Sequence, residues 1–116
     1  MSEVLKPFIF EGTEVDVCFD KSIINLYVVI DKLSGVRVSG FIPAANDFIA
    51  IVGFKDFGMK NKEKGDVNVY ELIRIGSYSE DNNKFLDFEK YKLVDSRADL
   101  DKLVEECKNY ILANEE

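Results

Sequence analysis

The stretch that most limits what this chain can become is the apolar block from Phe48 to Gly58, Phe-Ile-Ala-Ile-Val-Gly-Phe-Lys-Asp-Phe-Gly. Ile51, Phe54 and Phe57 follow Phe48 in steps of three, and Val52 lies four beyond it, the spacing of one helical face. Pro43 keeps a helix from starting much earlier. Asp47 offers a carboxylate to the free N–H groups of a first turn, and Gly58 stands where a C′ glycine belongs. The pattern predicts a central helix. A buried strand over Phe48–Phe54 is the competing reading, because short apolar runs are ambiguous by periodicity alone. A polar, lysine-rich loop from Met59 to Asp66 follows, then a strand from Val67 to Ser77 in which Gly76 marks a bulge or a close backbone approach.

The flanks read as a sheet and a second helix. From Lys6 to Asp20, Phe8 and Phe10 alternate with Ile9, and Val15, Val17 and Phe19 alternate with Glu14, Asp16, Cys18 and Asp20, around a Glu11-Gly12 turn, which predicts a hairpin. Ile23 to Ile30 is too continuous for a half-exposed strand and reads as a central one covered on both faces. Asp31 to Gly35 turns the chain, and Val36 to Ser39 returns antiparallel. A helix from Asp20 to Ser34 is the alternative there. A polar turn at Ser79–Lys84 precedes short strands around Phe85–Glu89 and Tyr91–Leu93. At the end, Ser96 with Asp99 resembles a capping box. Leu100, Leu103, Val104, Cys107, Ile111 and Leu112 share a face, so a helix is expected over Arg97–Ala113. The fold class expected is α+β in one domain over residues 1–116: an antiparallel sheet from two N-terminal hairpins plus a central strand, covered by a central and a C-terminal helix.

Composition narrows the chemistry. With 47% hydrophobic residues and nine Phe, the chain can bury a core without staples. There is no histidine, so a Ser-His or Cys-His nucleophile pair is excluded. Two cysteines cannot fill an ordinary zinc site. Cys18 lies among acids, and Cys107 falls inside the last helical stripe, so both read as structural thiols. Asp81-Asn82-Asn83 does not follow calcium-loop spacing and reads as a turn. No glycine-rich phosphate cradle is present. No metal, cofactor or catalytic residue is expected. No apolar run approaches membrane-spanning length and no secretory leader is visible, so a cytoplasmic protein is expected.

A net charge of −7 argues against an extended polyanion-binding surface. Two opposite patches stand out nonetheless. Lys60, Lys62 and Lys64, with Arg74, could contact nucleic-acid phosphates, and nearby aromatics such as Tyr78 and Phe85 could stack on bases. Conversely, Glu14, Asp16, Glu80 and Asp81 could present carboxylates to a basic partner in the manner of a nucleic acid. For both sets, ordinary solvated charge is the simpler reading.

Phe41, Pro43, Ala45, Asn46, Asp47, Ala50, Ile51 and Phe54, followed by Tyr70, Leu72, Arg74, Ile75, Gly76 and Tyr78, form a pattern with Asp81 in the turn beyond it. Over about residues 27–83 it resembles the small non-structural, replication-accessory protein of gokushovirus-type microviruses, small single-stranded-DNA phages. The Met1–Asp20 hairpin and the Ala98–Glu116 helix are additions to that pattern. Val52-Gly53 stands where an arginine is expected. The resemblance implies a non-enzymatic viral protein that binds single-stranded DNA or a replication protein and carries no active site. The alternative is an acidic phage inhibitor of a host protein such as a defence nuclease, acting as an anti-CRISPR-type nucleic-acid mimic.

Overall fold

The computed structural model describes residues 6–19, 22–60, 70–87, 91–95 and 99–114. The chain opens with two short strands, β1 (Phe8–Phe10) and β2 (Thr13–Val15), in antiparallel register with Phe10 opposite Thr13. Glu11 and Gly12 between them both take positive φ, 49° and 84°. That is the two-residue turn whose twist matches a hairpin, and glycine adopts its second position without strain. This hairpin is a sheet of its own and does not join the larger one, so the expected single sheet is in fact two.

The larger sheet has β3 (Ile23–Asp31) between β4 (Ile42–Ala44) and β5 (Tyr70–Ser79), all antiparallel. β6 (Lys84–Asp87) and β7 (Tyr91–Asp95) share the far edge of β5, β6 beside Ser77–Ser79 and β7 beside Glu71–Arg74. β3 is central, as its β-branched run requires. The expected return strand Val36–Ser39 is reduced to one bridge, Ile30 opposite Arg37, and the regular pairing falls later, at Ile42–Ala44. Ser39 explains the break: its Oγ accepts from the Val29 N–H at 2.9 Å, a place that a strand carbonyl would otherwise fill. Between Arg74 and Gly76 the pairing with β3 slips by one residue, which places Ile75 in a bulge beside the glycine, as expected.

The block from Phe48 is helical. α1 spans Asp47–Lys60, and Ala50, Ile51 and Phe54 are buried on its inner face. Phe57 stacks edge-on against Tyr70, ring centroids 5.2 Å apart. Three details differ from expectation. Gly58 lies within the helix instead of ending it, and Val52 faces outward with Ile49. The N-cap is Asn46, not Asp47: Asn46 Oδ1 accepts from the Ile49 N–H at 2.9 Å.

α2 spans Leu100–Ala113 and is capped by Asp99, whose carboxylate accepts from the Lys102 N–H. The expected cap at Ser96 lies outside the described residues. Leu103, Val104 and Cys107 are buried, while Leu112, expected in the stripe, is exposed. α1 and α2 close one core with the inner face of β3 and β5 and with Val15 and Val17. Each fully buried aliphatic side chain in it contributes about 2 kcal/mol. Beyond Val15 the hairpin alternation fails: Val17 and Cys18 are both buried and Phe19 is exposed. Asp16 causes this, because its Oδ1 accepts from the Cys18 N–H at 3.0 Å and turns the chain. The fold is α+β, with both helices on one side of the large sheet.

Candidate functional site

Two places in this fold carry unusual chemistry. The first is a polar cluster under the start of α1. Asp47 is wholly buried, at the first position of the helix, where a carboxylate suits the positive end of the dipole. Arg74 Nη1 reaches from β5 to Asp47 Oδ1 at 2.7 Å and Oδ2 at 2.6 Å. The Tyr27 hydroxyl donates to Oδ1 at 2.5 Å, and the Asp16 N–H donates to Oδ2 at 2.8 Å. Asn25 joins from β3, donating to the Tyr27 hydroxyl at 3.1 Å and to Asp16 Oδ2 at 3.2 Å, and accepting from Ser77 Oγ at 3.0 Å. Asn46 donates to the Cys18 carbonyl at 3.2 Å.

Burial pushes the Asp47 carboxyl above the usual carboxylate range, against the pull of Arg74, the Tyr27 hydroxyl and the Asp16 N–H. The neighbours named are all donors, so the carboxylate is the form the site fits. Burial first, then the charge of Asp47, raises the Tyr27 hydroxyl far above its ordinary value, and it stays a donor. Among the described residues no buried side-chain nitrogen or oxygen lacks a partner. A cluster this fully satisfied holds β2, β3, α1 and β5 together and leaves no free base or nucleophile within it. Cys107 is equally quiet: burial, with Glu106 and Asp47 behind it, pushes its thiol up to about 11.

The second place is the outer face of the sheet, opposite the helices. Val28 and Ile73 are buried there. Towards the start of β3, however, Ile24, Leu26, Pro43, Ile75 and Tyr78 line an open apolar groove of about 410 Å³. Phe41 and Phe85 stand at its two sides, 64% and 52% exposed. Thus, among the described residues, β3 is not covered along both faces. Tyr78 and Phe85 meet edge-on at 5.2 Å, and the Arg37 guanidinium lies over the Phe41 ring, 4.9 Å from its centre.

The sequence-derived site residues scatter. Arg74, read as a phosphate contact, spends its charge on Asp47, with 17% of its side chain exposed. Lys60 closes α1, and Lys62 and Lys64 lie outside the described residues. Of the acids, Asp16 is tied into the cluster, Glu14 is exposed on β2, and Glu80 and Asp81 are exposed on the β5–β6 turn of the other sheet. Among the described residues no group of three or more His, Cys, Asp or Glu side chains is placed to hold a metal, and no helix is long and apolar enough to cross a membrane. Sequence reading missed the Asp16–Asn25–Tyr27–Asp47–Arg74 cluster. The one signal was polar residues interrupting runs that otherwise belong in a core. The fold and cluster define an α+β scaffold with a locked polar interior and an open apolar sheet face. No family model, curated protein or solved structure matches the chain.

Proposed function

We propose that this protein is a non-enzymatic phage accessory protein that acts by binding, with the outer sheet face as its protein-binding surface. The observation that carries this is the groove between Phe41 and Phe85: large rings stand exposed where a fold with a full core has no need of them. The setting, viral genome replication and single-stranded-DNA handling, comes from the resemblance over residues 27–83. Its Asp47 and Arg74 are bonded to each other, which gives those two residues a structural reason to occur together. In this reading the DNA contacts are Lys60, the last residue of α1, and Lys62 and Lys64, which follow it in sequence. The acidic-mimic reading draws less support, because Asp16 is spent inside the fold.

Fluorescence anisotropy of a labelled single-stranded oligonucleotide across a salt series tests the DNA assignment. Affinity should fall as salt rises, and Lys60→Ala/Lys62→Ala/Lys64→Ala should flatten the logarithmic slope by about 2. No retention of DNA at low salt would overturn it.

A further inference from the structure

The outer groove is lined almost wholly by carbon, so only an apolar surface can fill it without stranding a polar group. Its borders are charged, and the signs are opposite at opposite corners. Arg37 sits by the β4 side, level with Ile30 near the end of β3. Glu80 and Asp81 sit by the β6 side, beyond the start of β3, where the Glu80 N–H donates to the Ser22 carbonyl at 3.0 Å. A two-fold axis lying in the plane of the face, across that diagonal, superposes each corner on its opposite. Resting on the reading of this face as the binding surface, we propose that its occupant is a second copy of this chain. Arg37 of each copy then meets Glu80 and Asp81 of the other, and Phe41 of each meets Phe85 of the other.

The apolar face and its charged rim together set the area. At about 200 Å² for a fully exposed Phe, the two rings present roughly 230 Å² at their 64% and 52% exposure. With the groove floor the face offers roughly 340 Å² of apolar surface, so two copies bury roughly 700 Å² of it, and the charged rim supplies the rest of the roughly 1,000 Å² that a specific interface needs. A different partner would have to bring both the apolar face and the reversed diagonal of charge; this chain carries both. Pairing through the sheet leaves the helical layer outward and doubles the DNA contacts on one particle, which raises avidity.

Sedimentation velocity over a concentration series tests this on the full chain. The native protein should be dimeric, and Phe41→Ser or Phe85→Ser should weaken association by roughly thirtyfold with the circular dichroism spectrum unchanged. Arg37→Glu alone and Glu80→Arg/Asp81→Arg alone should each be monomeric. Mixed, they should form a heterodimer, since both corner contacts are then restored. A native protein that is monomeric at every concentration overturns the proposal, as does a dimer indifferent to Phe41→Ser and Phe85→Ser. If a monomeric protein loses single-stranded DNA on Phe41→Ser, the face belongs to nucleic acid and the second copy is wrong. If its DNA binding ignores that substitution, the second copy is wrong while DNA contact by the lysines stands.

Discussion

Arg74 Nη1 lies within 2.7 Å of both carboxylate oxygens of Asp47, so a β5 side chain holds the first residue of α1. The pair is buried on the acid side, and removing one partner strands the other. Arg74→Met should therefore cost about 3 kcal/mol in urea unfolding, and Asp47→Asn a similar amount. The two losses should not add in the double variant, because the second substitution removes the charge that the first left unpaired.

Alkaline pH should weaken the fold. The Cys107 thiol sits at about 11 in the folded protein, above its ordinary value. The folded state thus holds a proton that the unfolded state has lost. That contribution is complete below the unfolded value and disappears as pH rises through the folded one. Between pH 7.5 and 10 stability should fall by about 1–2 kcal/mol from this thiol, and Cys107→Ala should flatten the slope. Tyr27, raised further still, adds loss above pH 10. A disulfide-exchange reagent should react with native Cys107 only at the rate of unfolding.

Asn46 caps α1 with its carbonyl oxygen and holds the Cys18 carbonyl with its amide. Asn46→Ala removes both, and should cost about 2 kcal/mol by chemical denaturation. Asn46→Asp keeps a capping oxygen but turns a second carboxylate oxygen onto the Cys18 carbonyl in a buried site beside Asp47, so it should cost at least as much.

Gly12 has open space where a side chain would stand, so only its backbone matters. With φ at 84°, Gly12→Ala should cost about 1 kcal/mol, measurable as a lower thermal midpoint, with the sheet and helix signals intact.

Much of the architecture was legible because it is local. The Glu11-Gly12 turn, the bulge at Gly76 and the stripe Leu103–Val104–Cys107 each follow from neighbours in sequence. The helix Asp47–Lys60 was ambiguous for a physical reason: Ile49 and Val52 are apolar yet face outward, so its periodicity is blurred. The polar cluster was not legible. Asp16 and Arg74 read as surface charges and Asp47 as a helix cap, because nothing in their spacing says that the sheet brings them together with Asn25. The outer groove was hidden likewise, since Phe41 and Phe85 meet the same face only through β3 and β5.

We propose a division of labour: the charged interior holds the fold, and the exposed aromatic face, kept for binding, contributes little to stability. Urea unfolding of Arg74→Met beside Phe85→Ser tests this most directly. The division predicts a loss of about 3 kcal/mol for Arg74→Met and about 1 kcal/mol for Phe85→Ser, the worth of its edge-on contact with Tyr78. Equal losses, or a larger one for Phe85→Ser, would contradict it by making that ring part of the core.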